Sequence, residues 1–152
     1  MKRHPALQPL SREHHSLLHH AREIRWAVEG TPHASPVGEV IQAFLDDWYQ
    51  VALAHFQEEE EILLPLATEQ ALATRIRAEH EWLRHEVARL AQEVEQQEAP
   101  YERARRIAQG LHDHIRFEER VFFQQLQALL PDAELLELGA RSRLFRAHRH
   151  SP

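Results

Sequence analysis

A chain of 152 residues suits one domain, which at this size buries roughly two-thirds of its unfolded surface. Its net charge of −6, with both signs interspersed, leaves no basic footprint for nucleic acid or for an acidic membrane surface. The lack of cysteine excludes disulfides, thiolate metal sites and cysteine nucleophiles, and it fits a reducing cytoplasm.

Ala, Leu, Glu, Arg and Gln dominate while Val, Ile and Thr are few, so the composition predicts an all-α fold. Residues 1–10 read as a charged N-terminal arm with no apolar stretch of the signal-peptide kind. The first helix is predicted over Ser11 to Val28, with Ser11 as N-cap, Glu13 in the first turn and Gly30-Thr31-Pro32 as terminator. The second starts at Ser35-Pro36 and ends near Leu64, before Pro65. The third spans about Thr68 to Gln97 and the fourth about Pro100 to Leu130. A short fifth helix opens at Pro131-Asp132 and closes near Phe145. The bundle and this helix together occupy residues 11–146, and residues 147–152 form a tail that carries His148 and His150. Four long helices with short loops predict an up-down-up-down four-helix bundle, and no apolar run is long enough to span a membrane.

Each long helix carries an apolar stripe at three- and four-residue spacing. The stripes are Leu17, Leu18, Ala21, Ile24 and Val28 on the first and Ile41 through Leu66 on the second. On the third they are Ile76, Leu83, Val87, Leu90 and Val94, and on the fourth Ile107, Leu111, Val121, Phe122, Gln125 and Leu129.

The stripes are interrupted by His14 on the first helix, His55 and Glu59 on the second, His80 on the third, and His114 and Glu118 on the fourth. Counted from the connecting turns, these positions reach roughly the same height in an antiparallel bundle, at about 1.5 Å of rise per residue. Burying two carboxylates and four imidazoles without partners would cost several kcal/mol, and a di- or trivalent cation removes that conflict. The donor set suits iron, and also zinc, manganese or copper. Six ligands exceed a tetrahedral structural zinc site and suit two metals bridged by carboxylates. His15, His19, His20 and His33 fall off the stripes or in a loop and read as surface. Glu58, Glu60 and Glu61 read as a solvated face beside Glu59.

The order His14, then His55-Phe56-Gln57-Glu58-Glu59, then His80, then His114-Ile115-Arg116-Phe117-Glu118 resembles the hemerythrin-like HHE cation-binding domains, whose pattern is H, HxxxE, H, HxxxE on successive helices. Leu10-Ser11-Arg12-Glu13-His14-His15 and Ile62-Leu63-Leu64-Pro65 match in context, so the resemblance covers about residues 10–130. It implies a non-haem di-iron site that takes oxygen, peroxide or nitric oxide, with the four histidines as terminal ligands and Glu59 and Glu118 as bridges. Oxygen-carrying hemerythrins have a second histidine on the third helix where this chain has Arg84, and place the fourth-helix carboxylate where it has Glu119. Glu119 is therefore the alternative to Glu118, and the missing histidine implies an open coordination position.

Other readings are weaker. No histidine has a glutamate three residues before it, as ferritin-like di-iron bundles require. His80-Glu81-Trp82-Leu83-Arg84 fails the zinc-protease pattern at its last position. What remains beside small-ligand binding or chemistry is an iron- or redox-sensing bundle, or a structural metal bundle, acting through a protein partner.

Overall fold

The computed structural model describes residues 2–149, and among them there are helices and no strand. Five helices follow one another: α1 (Gln8–Glu29), α2 (residues 37–63), α3 (Gln70–Glu95), α4 (residues 101–129) and α5 (Asp132–Arg149). The first four form the bundle, with α1 packed on α2 and α4, and α3 on α4. None of them is long and apolar enough to cross a membrane.

The helix ends follow local chemistry with two exceptions. Gly30 ends α1 in the left-handed region at φ 70°, and the Thr31 N–H returns to the Trp26 carbonyl at 3.0 Å. Gln97 ends α3 in the same way at φ 58°, with the Glu98 N–H on the Glu93 carbonyl at 2.9 Å. Ser11 is not the N-cap of α1, which already begins at Gln8. The start is set from elsewhere in the chain: the His4 ring accepts the Ala6 N–H at 3.0 Å, and Gln127 of α4 accepts the His4 N–H at 3.1 Å. At α2 the cap is Pro36 itself, in an extended conformation, rather than Ser35. The fifth helix continues past Phe145 to Arg149, so His148 lies in a helix, while His150 lies outside the described residues.

Two helices change pitch at informative places. α2 contains π turns at Trp48–Ala52 and Glu59–Leu63, and α4 contains one at Glu118–Phe122. Single π turns inside α-helices are frequent at functional sites. Here two of the three begin at Glu59 and Glu118.

The core divides into two apolar clusters. One is built on Leu17, Ile24, Phe44, Trp48, Leu83, Val87, Leu90, Ile107 and Leu111. The other gathers Leu7, Leu10, Leu63, Ile76, Phe122, Phe123 and Leu126, and takes in Leu138 of α5. Leu7 and Leu10 thus anchor the N-terminal arm in the core. Leu129 is 58% exposed and is not part of the α4 stripe, because the π turn shifts the inward positions to Phe122, Phe123 and Leu126. Between the clusters lies a polar layer.

Candidate metal centre

The layer consists of His14, His55, Glu59, His80, His114 and Glu118, none of them more than 2% exposed. The predicted residues therefore meet, and they meet in an ordered way. Around one point stand the Nε2 atoms of His14 and His55, with Glu59 Oε2 at 3.4 and 3.2 Å and Glu118 Oε2 at 3.3 Å from His14. Around a second point stand the Nε2 atoms of His80 and His114. Glu59 Oε1 is 3.1 Å from His80, and Glu118 Oε1 is 3.2 Å from His80 and 2.6 Å from His114. Each carboxylate thus splits its two oxygens between two groups of like composition. In each group the donor atoms lie within 4.8 Å of one another.

The donor set fits metal ions. Ligands at about 2.1 Å from a metal are separated from each other by roughly 3.0–3.4 Å, depending on geometry, and these donor pairs lie in that range except His114 Nε2 and Glu118 Oε1 at 2.6 Å. Both oxygens of Glu59, Glu118 Oε2 and His114 Nε2 are buried without a hydrogen bond. Such orphaned groups are costly in a dry core unless a cation takes them.

The outward nitrogens are equally ordered. His55 Nδ1 meets Glu13 of α1 at 2.9 Å, and His80 Nδ1 meets Glu60 of α2 at 2.7 Å. His114 Nδ1 meets Glu79 of α3 at 2.7 Å, and His14 Nδ1 meets Glu119 of α4 at 2.6 Å. Each helix holds the histidine of the next, and α4 closes the ring on α1. Burial opposes the charged form of Glu13 and Glu60. Hydrogen bonds from His55 and Arg146 nonetheless bring Glu13 to about 2, and those from His80 and Arg84 bring Glu60 to about 2. Both are therefore acceptors at neutral pH, so the facing Nδ1 carries a proton and Nε2 is the nitrogen left to face an ion. Carboxylates behind metal-binding imidazoles fix tautomer and ring orientation in this way.

Burial alone would lower the His80 pKa, but the carboxylates of Glu118, Glu59 and Glu60 beside it raise it to about 11. His14 is raised well above its usual value for the same reasons, mainly by Glu118 and Glu119 against the effect of burial. Burial would raise Glu118, yet His114 and its other partners hold it well below the carboxylate range. In the metal-free layer, protons on Nε2 balance the two carboxylates.

Rings wall the layer. Phe56 stacks on His80 at 4.1 Å with the planes 6° apart, and Phe123 lies 5.3 Å from His14. A cavity of about 650 Å³ lies between α1 and α4, and none of the six residues lines it.

Glu118 rather than Glu119 enters the layer. Arg84 stays outside it, pairing with Glu60 at 2.9 Å and Glu81 at 2.7 Å. His15, His19 and His33 are exposed as expected, while His20 is half-buried with Nε2 at 3.1 Å from Asp47. The glutamate run on α2 is not the solvated face expected. Glu58 is fully buried and Glu60 holds His80, and only Glu61 is exposed. Glu13, Glu60, Glu79 and Glu119 lie one residue off the stripes, so the apolar period assigns none of them the role of holding a histidine. Their signal was adjacency, since each stands beside Glu or His of the inner six and points about 100° away around its helix.

A comparison with protein families matches residues 6–126 to the model described as Hemerythrin HHE cation binding domain. A comparison with curated proteins returned no match.

Proposed function

Since the chain belongs to the hemerythrin HHE cation-binding family, we propose that its core holds two iron ions and that this pair takes up oxygen, peroxide or nitric oxide. The observation that carries this reading is the division of the Glu59 and Glu118 oxygens between two histidine pairs. His14 and His55 would hold one ion and His80 and His114 the other, with both carboxylates shared. Zinc or manganese would fit the same donors.

A non-haem iron pair supplies redox-active centres with exchangeable positions. The chain supplies the rest. Each group offers four protein donors, short of an octahedral shell, and Arg84 adds none. Room is left for a small exogenous ligand. Phe56 and Phe123 keep bulk water from the imidazoles, and the four outer carboxylates hold each Nδ1 proton in place. The cysteine-free sequence fits work in a reducing cytoplasm.

The test is anaerobic loading with ferrous iron, a count of bound ions, and ligand titration followed by visible absorption. We expect close to two ions per chain, a shifted spectrum when azide meets the oxidised protein, and a new spectrum when nitric oxide meets the reduced one. Two ions with neither ligand changing the spectrum would leave a structural metal bundle acting through a partner as the better account.

A further inference from the structure

Every carboxylate of the outer ring also carries an arginine. Glu60 is met by Arg84 at 2.9 Å, and Glu79 by Arg75 at 2.9 Å. Both arginines belong to α3. Glu119 is met by Arg3 of the N-terminal arm at 3.1 Å. Glu13 is met by Arg146 at 2.9 Å and Arg149 at 3.0 Å, both from the end of α5. The outer support of His80 and His114 is therefore built within the bundle, and that of His14 and His55 comes from the two ends of the described chain.

We propose, building on the two-ion reading above, that the two metal positions are inequivalent: the His14/His55 position depends on docking of the N-terminal arm and of α5 through Arg3, Arg146 and Arg149, and the His80/His114 position does not.

The source of the arginines separates the two halves, one set lying on α3 and the other at the two ends of the described chain. Arg84 and Arg75 side chains are 27% and 54% exposed, and the more exposed an ion pair is, the less it contributes. Arg3, Arg146 and Arg149 are 16, 21 and 10% exposed. Breaking a largely buried pair strands its partner charge and has a larger effect. Arg3 is held at several points. It donates to the Glu119 side chain and main-chain carbonyl and to Gln127, and it lies 5.5 Å from the Phe123 ring, which faces His14. Arg146 and Arg149 also stand beside Glu58, at 3.1 and 3.8 Å. Glu58 has no exposed surface and no hydrogen bond, and both guanidiniums favour its charged form against the effect of burial. Undocking of α5 would release Glu13, which then no longer fixes His55. By linkage, an ion at that position favours the docked arm and α5 as much as they favour the ion.

The experiment titrates cobalt(II) into the metal-free full chain and into variants, with calorimetry and visible absorption together. The parent is expected to take two ions. Arg146→Met/Arg149→Met and, separately, Arg3→Met should keep one tight ion and weaken the other about 10–100-fold, the range for lost support behind a metal ligand. Arg146→Lys should recover part of the loss. Arg84→Met and Arg75→Met should leave the His14/His55 position at the parent's affinity. The single-ion spectrum of the α5 variant should match that of His14→Ala and differ from that of His114→Ala. Hydrogen exchange over residues 132–149 should slow when the second ion binds. Leu135 and Leu138 keep α5 packed in the variants, and far-UV circular dichroism checks this. Equal loss at both positions, or no loss in the α5 and Arg3 variants while the parent binds two ions, overturns the inference. A parent that binds fewer than two ions overturns the two-ion reading itself, and this inference with it.

Discussion

Glu119 holds Nδ1 of His14 at 2.6 Å, across the α4–α1 interface, while the residue before it, Glu118, points into the core. Two adjacent carboxylates thus have separate tasks, and substitution should tell them apart. Glu118→Ala removes a donor from both groups and is expected to abolish tight uptake of two ions. Glu119→Ala should leave two ions bound, one of them about 10–100-fold more weakly. Calorimetric titration of both variants checks this. Equal binding by Glu118→Ala and the parent would show that the inner carboxylate is not a donor.

Glu59 gives one oxygen to each group, whereas His14 belongs to one. Glu59→Ala should therefore weaken both positions together, and His14→Ala only one. His15→Ala, on an exposed ring one residue away, should bind as the parent does. Counting metal by elemental analysis after dialysis decides the matter, and a loss in His15→Ala would place α1 in a different rotation.

The layer predicts how the metal-free protein responds to pH. Glu13 and Glu60 are lowered to about 2, so their contribution is fully present above the ordinary value of 4.5 and is lost as pH falls toward 2. His80 is raised to about 11, so its contribution is present below 6.5 and is lost as pH rises toward 11. Metal-free protein should melt highest between about pH 4.5 and 6.5 and progressively lower on the alkaline side. Loaded protein should lack that alkaline decline, because ions replace the protons on Nε2, and loading near neutrality should release protons into a weakly buffered solution. Thermal melts of both forms from pH 3 to 10 test the sign; a metal-free melting point still climbing above pH 8 contradicts it.

Phe56 is fully buried, stacks on His80 and meets Trp48 edge-on at 5.4 Å. Phe56→Ala should cost about 3–5 kcal/mol, as large core truncations do. Urea unfolding of the loaded protein measures it. A cost under about 1 kcal/mol would mean that the site collapses around the gap.

The stripes were enough to find the helices and the six inner residues, because a polar residue inside an apolar 3.6-residue period is a local signal. Three features were not local. The start of α1 depends on His4 and Gln127, which are far apart in the chain, so Ser11 looked like the cap. The π turns after Glu59 and Glu118 last five residues each, too few to distort a period, yet the one in α4 rotates Leu129 out of the core. Arg146 and Arg149 sit at the end of α5, beyond its buried Leu135 and Leu138, and their partners Glu13 and Glu58 lie on other helices.

The outer ring also settles a question that an apolar core leaves open. Four antiparallel helices can be arranged around their axis in two mirror-related ways, turning left or right from α1 to α2. Helices with symmetric apolar stripes pack about equally well in both, and short loops close either. Glu13 and His14 are neighbours in sequence and face different flanks of α1. In the observed turn Glu13 reaches α2 and His14 is reached from α4. In the mirror arrangement Glu13 would face α4, Glu119 would face α3, and all four carboxylate–imidazole pairs would be lost at once, leaving eight polar groups to be buried or hydrated without their partners. The glutamates one step off the stripes therefore give the bundle its handedness.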